Sequence, residues 1–287
     1  MESKNVNYLF NREYTEALLK GRKAENLNTE LITAINDSIS NNIKKGLPEA
    51  ILDEVDVHKA YFAVRYPGVL VGLGYPHELS EGPEQSELKG QISGGFMFDY
   101  VTGLPYIPGS SIKGIVRHIF DNACDNDEYL QYLNSICENK FTEEQLKEYI
   151  HEHFGMTDGG GTDVFYDAYV SGPDNIKDYI GLENITPHSN ALKNPIPITM
   201  LKIMPGVLIK VAIKTDDKSF CVYKRILQDM GVGAKTNVGF GIIEEVKNKN
   251  NTHPDEKGKK SQEKTEKQKI EIDSSSPWAK LQNLKFD

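Results

Sequence analysis

The order in which two kinds of apolar pattern alternate constrains this chain most. Short runs rich in β-branched and aromatic residues read as strands: residues 61–66, 68–74, 96–100, 164–169, 198–204, 207–213 and 240–246. Between them, helical spacing of apolar residues marks a helix at about 112–120 and another at about 219–230. Stripped of insertions, the order is strand, helix, strand, strand, helix, strand. That is the split βαβ, ferredoxin-like or RRM-like arrangement, an α+β fold.

The remaining segments decorate this core. Residues 1–58 read as an N-terminal helical segment. In it, Leu27, Leu31, Ile32, Ile35, Ile39 and Ile43 mark one apolar stripe, and Gly21 breaks the chain ahead of it. The core is expected at 59–246, with an acidic helical insertion at about 121–155. Within the insertion, Thr142-Glu143-Glu144-Gln145 has the capping-box spacing that starts a helix. Gly159-Gly160-Gly161 reads as a flexible break, and 75–90 as an exposed loop rich in Pro, Gly and Glu. A long loop is expected through Pro173, Pro187, Pro195 and Pro197. Residues 247–287 begin with a Lys-rich stretch almost without apolar side chains, which is expected to be disordered. The end carries the only Trp, Trp278, in a run suited to a short docking helix.

Charge and cysteine content narrow the functional classes. No apolar run reaches the roughly 18 residues that span a bilayer, and the first ten residues lack the apolar stretch of a signal peptide. A cytoplasmic protein is expected. Three cysteines, Cys124, Cys137 and Cys221, form no CxxC pair, which argues against a disulfide framework or thiolate zinc site. Cys221 reads as a small buried filler. The net charge of −9 counts against a free-standing nucleic-acid binder, because such proteins carry a basic field that displaces counterions. The charge is uneven, however. Residues 121–152 are strongly acidic, whereas 202–241 are locally basic. An acidic exterior with one basic working face suits a subunit that touches RNA on one side.

Two stretches carry candidate chemistry. Residues 231–241, GVGAKTNVGFG, hold four glycines around Lys235, Thr236 and Asn237. A P-loop would need Gly directly before the Lys, where Ala234 stands. A dinucleotide fingerprint starting at Gly231 would need Gly or Ala at Thr236. Neither nucleotide hydrolysis nor NAD binding is supported, and no cofactor or metal is expected. Two readings stay open on the residues alone. One is a tight helix-to-strand turn with a solvated Lys. In the other, Gly231, Gly233 and Gly239 let the backbone approach a polyanion, and Lys235, Thr236 and Asn237 contact phosphates. The second stretch is 103–117, GLPYIPGSSIKGIVR, in which Gly109, Ser110 and Ser111 place hydroxyls and free N–H groups at a helix start. Lys113 and Arg117, four residues apart, project from one helix face. The alternative there is a capped, packed helix with exposed charges.

The histidines and aspartates read less specifically. His151 and His153 suit a surface helix, whereas His77 and His188 are the candidates for acid–base chemistry if the chain cleaves RNA. Asp163 and Asp167 on one strand would stand about 13 Å apart, too far to share a metal, and read as packing or loop-capping residues.

These two stretches together, with 163–168 DVFYDA, 185–189 ITPHS and Pro195-Ile196-Pro197 between them, resemble the RAMP superfamily of CRISPR-associated proteins. In more detail they resemble the sixth-subunit family of the type III-B (Cmr) effector complex. The likeness covers about residues 60–246, keeps the family's motif order, and departs from it at Phe240, where Tyr is common. It implies a non-catalytic, RNA-binding backbone or capping subunit that holds the 3′ part of the guide RNA in antiviral defence. Its implied partners are the guide RNA, the repeated backbone subunit and a second RAMP subunit, with target RNA met only indirectly. The implied RNA contacts are Gly109, Ser110, Ser111, Lys113, Arg117, Gly231, Gly233, Lys235, Thr236, Asn237 and Gly239. The competing reading is a metal-independent endoribonuclease that matures guide RNA.

Overall fold

The computed structural model describes residues 5–45, 57–71, 90–92, 97–138, 140–156, 159–173, 175–185 and 198–246. All of these belong to one unit, Met1–Lys247. The tail with Trp278, the loop at 75–89, His77 and His188 lie outside the described residues.

The chain begins with α1 (Val6–Tyr8), a π-helical turn at Leu9–Glu13, α2 (Tyr14–Leu19) and α3 (Ala24–Lys45). Gly21, at φ 79°, makes the break between α2 and α3. The expected stripe is the buried one: Leu27, Leu31, Ile35 and Ile39 are each 0% exposed. Burying each is worth about 1.5–3 kcal/mol. Two polar residues on the same helix anchor it. Asn28 accepts from the Tyr14 hydroxyl at 2.6 Å and donates to the Gly90 carbonyl at 2.8 Å. Asn36 accepts from the Tyr179 and Ile180 amides and donates to the Ile180 carbonyl.

The core follows as β1 (Val57–Val64), β2 (Tyr106–Ile107) and α4 (Gly109–Ala123), then the inserted helices α5 (Asp127–Ile136) and α6 (Glu143–Phe154). The capping box is present, with Thr142 and Gln145 satisfying each other's backbone amides. β3 (Gly155–Met156) and β4 (Gly159–Gly160) pair, so the glycine run builds a small hairpin instead of a break. Then come β5 (Val164–Phe165), β6 (Ala168–Gly172), β7 (Ile180–Ile185), β8 (Ile198–Ile203), β9 (Leu208–Lys214), α7 (Asp217–Met230) and β10 (Ile243–Glu245).

The main sheet runs β10-β1-β9-β6-β2 with every neighbour antiparallel, and β5 also pairs with β9. β-strand alternation puts Ala60, Phe62, Val64, Ile209, Val211, Ile213 and Val170 on one face. That face packs with Ile112, Val116, Ile119 and Phe120 of α4 and Phe220, Tyr223, Ile226 and Leu227 of α7 in a single apolar core.

Several strand expectations are corrected. Residues 198–204 do not continue into the main sheet. β8 pairs with β7 in a separate two-stranded sheet, and β7 falls in what reads as a proline-rich loop. Residues 164–169 split at Tyr166-Asp167 into β5 and β6. Val69 and Leu70 make only single bridges, to Ile203 and Ala234, and Phe98 makes one to Pro105. The last strand starts at Ile243, because Gly239 and Gly241 take positive φ and turn the chain just before it. Cys221 is exposed on α7 and is no core filler. No helix among the described residues is long and apolar enough to cross a membrane.

Candidate nucleic-acid interface

The glycine-rich stretch begins where α7 ends. Gly231, at φ 75°, donates its N–H to the Leu227 carbonyl and stops the helix. Val232 then bonds back to Gly241 at 2.9 Å, and Ala234 donates to Leu70 O at 2.7 Å. Gly233 sits at φ 82°, where an added Cβ would lie 2.3 Å from the Leu70 carbonyl oxygen. Gly233 is therefore required by the fold itself, since only a residue without Cβ fits that close backbone crossing, whereas a Cβ on Gly231 would stand 3.0 Å from the Gly241 carbonyl oxygen. Gly239 differs: its φ is 95°, but nothing lies within 4 Å of a Cβ there.

Between these pinned ends the loop bulges outward. Lys235 takes a left-handed conformation at φ 62°, and Thr236–Val238 form one 3-10 turn. Lys235, Thr236, Asn237 and Val238 are all exposed, and Lys235 makes no ion pair among the described residues. A rigid frame thus presents an ammonium, a hydroxyl and an amide to the outside.

The helix-start motif meets this loop. A cleft of about 480 Å³ is lined by Ser111, Gly114, Ile115, His118 and Ile119 of α4, by Tyr129 of α5, and by Met230, Gly231, Gly233 and Thr236. Two stretches separated by more than a hundred residues thus share one groove. Ser110 and Ser111 are exposed in the first turn of α4.

Other parts of the expectation at α4 are corrected. The N-cap is Pro108, without a side-chain cap, so Ser110 and Ser111 lie inside the helix. Three of the N–H groups there are taken: Gly109 donates to Asp167 Oδ1 at 2.7 Å, and the Ser111 and Ile112 amides bond to the Pro108 carbonyl. Gly109 is buried, and a Cβ on it would lie 2.1 Å from the Phe165 carbonyl oxygen, so this position is packed against the β5 backbone and presents little surface to a ligand. Asp167 performs the capping role expected of it.

Lys113 and Arg117 do share a face, but it is not the cleft's. At about 100° per residue, Lys113 stands about 200° around the helix from Ser111. Its Nζ donates to the Phe154 carbonyl at the end of α6, 2.9 Å away, and Arg117 bonds Asp121 at 3.1 Å. Among the cleft residues that sequence reasoning missed are His118, Tyr129 and Met230. His118 follows Ser111 by seven residues, two turns on, so helical periodicity from Ser111 points to it.

A second polar cluster lies at the other end of α7. Asp163 is 7% exposed and accepts from Tyr223 OH at 2.7 Å and Thr215 Oγ1 at 2.8 Å, with His153 Nδ1 at 3.1 Å from its other oxygen. Tyr149 stacks on His153 and donates to Ser219 Oγ at 2.7 Å. His153 thus lies against the core and not on an open surface, which corrects its expected placement. Burial works to lower the His153 pKa, but the hydrogen bond and charge of Asp163, with Glu152 and Asp216 beyond, outweigh it and raise it. Burial pushes the Tyr149 and Tyr223 phenols far up, so both stay protonated.

With this geometry in view, the family follows. The model of the RAMP superfamily matches residues 64–244, and the chain belongs to that superfamily. Within it, the chain is similar to the CRISPR system CMR subunit Cmr6 of Saccharolobus solfataricus, with 33% identity over 52% of this chain and 48% of that protein. It is also similar to the Cmr6 subunit of Pyrococcus furiosus, with 29% identity over 50% of this chain and 58% of that protein. The match spans about half the length of these curated relatives. Among solved structures, the type III-B Cmr-beta complex bound to cognate target RNA contains a chain with 24% identity and a TM-score of 0.49, covering 78% of this chain and 72% of that one.

Proposed function

We propose that this protein is a non-catalytic subunit of a type III-B CRISPR ribonucleoprotein effector, and that it holds the 3′ part of the guide RNA. The observation that carries this reading is the shared cleft: Ser111 of α4 and Gly231, Gly233 and Thr236 of the glycine-rich loop line one groove, and their chain neighbours Ser110, Lys235 and Asn237 are exposed. Such groups position a phosphate backbone without reading sequence. The antiparallel sheet, with its last strand beside the first, supports a ferredoxin-like reading of the core. The similarity to Cmr6 subunits supports association with other Cmr-type subunits; in this reading the chain works in the cytoplasm beside the repeated backbone subunit and a second RAMP subunit. The acidic composition supports dependence on them, because one loop of basic and hydroxyl groups is a weak RNA site alone.

Co-expression with those partner subunits and a guide RNA tests this reading. The wild-type chain is expected to copurify in the complex, and Lys235→Glu to lower guide-RNA retention at moderate salt. Unchanged retention would count against the cleft. Incubating the full chain with repeat RNA in EDTA tests the non-catalytic part, with intact RNA expected. Cleavage there would overturn it.

A further inference from the structure

The cleft between α4 and the glycine-rich loop is apolar inside. Ser111, Gly114, Ile115 and His118 follow one another at i, i+3, i+4 and i+7, so one face of α4 forms its wall. Among the described residues that line it, none is Lys, Arg, Asp or Glu. A phosphate drawn inside would give up hydration without meeting a cation. The His118 and Tyr129 rings lie 6.3 Å apart at 88°. In such an edge-on pair, the ring that presents its edge keeps both faces for a third group. Asn122, one turn along α4, holds the His118 ring through a contact of 3.1 Å at Nδ1. Gly114 then opens the wall. Gly109 on the same helix is packed against the Phe165 backbone, but no described atom lies within 4 Å of a Cβ built at Gly114. Glycine in a helix interior costs stability relative to alanine. No close packing among the described residues calls for it at 114, and what the missing side chain provides is room.

We propose that this cleft takes one unpaired nucleobase of the guide RNA, with the attached phosphate left at the rim beside Lys235. The proposal rests on the reading that the cleft meets guide RNA, and it names the part of the RNA that enters. The volume of about 480 Å³ is that of a small-molecule site, suited to one inserted group. A base is flat, apolar on its faces and polar at its edge. Splayed bases stack on Tyr and His rings and are held by hydrogen bonds at their edges. Here His118 and Tyr129 supply the rings, Ile115 and Met230 the apolar contacts, and the Ser111 and Thr236 hydroxyls the edge partners. A base arrives tethered to its phosphate. Lys235, beside Thr236 in the chain, is exposed and makes no ion pair among the described residues, so it can receive that charge. An apolar protein side chain would fill the same space but leave Lys235 and both hydroxyls unused.

The test uses the assembled complex and guide RNAs that each carry one abasic nucleotide in the 3′ part. One position is expected to stand out, releasing RNA about tenfold faster at moderate salt, because its stacking on the rings is lost. Gly114→Leu, which fills the cleft, should release unmodified guide about as fast, and the abasic nucleotide should then add nothing. The urea midpoint of Gly114→Leu should equal or exceed that of wild type. A lower midpoint would mean that the wall is not open, and overturns the pocket. A wild-type scan with no sensitive position overturns it without any variant. An abasic effect that persists at full size in Gly114→Leu overturns it too, because the base then sits elsewhere. If Lys235→Glu weakens retention while the scan is flat, the cleft still meets RNA and only the base pocket falls. If neither has an effect, both readings fall. Failure of Gly114→Leu to join the complex, with a flat scan, would assign the cleft to a protein side chain and overturn the pocket.

Discussion

The two ends of α7 use polar side chains in opposite ways. At its start, Asp163, Tyr223, Thr215, His153, Tyr149 and Ser219 bond to one another and are withdrawn from solvent. At its end, hydrogen bonds pin the backbone from Gly231 to Gly241, and the side chains of Lys235, Thr236 and Asn237 point outward. A buried carboxylate is stable only when its lone pairs are taken, so the first cluster serves the fold. An exposed Lys in a rigid left-handed turn adds nothing to packing, so the second end is the one left accessible to a ligand.

Breaking the first end should cost most. Asp163→Ala is expected to lower stability by about 3 kcal/mol in urea unfolding, because it strands Tyr223, Thr215 and His153 without their acceptor. A loss below about 1 kcal/mol would mean that water replaces the carboxylate easily. At the other end, Gly233→Ala is expected to cost about 2 kcal/mol, through its positive φ and the Leu70 carbonyl in its way. Gly239→Ala, with open space around it, should cost about 1 kcal/mol or less. Equal losses at the two glycines would contradict a pinned frame around a free bulge.

The contrast also has a pH signature. The folded-state pKa of His153 is raised, so its pairing contributes fully below the unfolded pKa of about 6.5 and fades as pH rises through the folded value. His153→Gln should therefore destabilise the protein more at pH 5.5 than at pH 8. A pH-independent difference would show that His153 is neutral in the fold. Smallest of all, Lys235→Glu should leave stability within about 0.5 kcal/mol of wild type, since the side chain is exposed and pairs with nothing described.

The sequence made the core legible wherever one face is buried. The α3 stripe, the Thr142 capping box and the order of strands around α4 and α7 follow from periodicity and local capping. β7 was hidden because its burial comes from Asn36 and β8, partners distant in the chain, and prolines flank it. The candidate site was half legible. Its glycines and exposed Lys235 could be read directly. That Lys113 turns to the α6 carboxyl end, and that Asp167 takes the Gly109 amide, depends on neighbours about 40 and 58 residues away. His153 looked exposed because its i+10 partner, Asp163, lies past a hairpin that glycines alone do not announce.

The central claim is that the loop at 235–237 and the first turn of α4 grip the guide RNA together. Nuclease footprinting of the guide in the assembled complex tests it most directly, with wild type compared to a chain carrying both Lys235→Glu and Ser111→Glu. The account predicts that protection is lost at the 3′ end and kept elsewhere. A 3′ footprint identical to wild type, in a complex that still contains the variant chain, would contradict it.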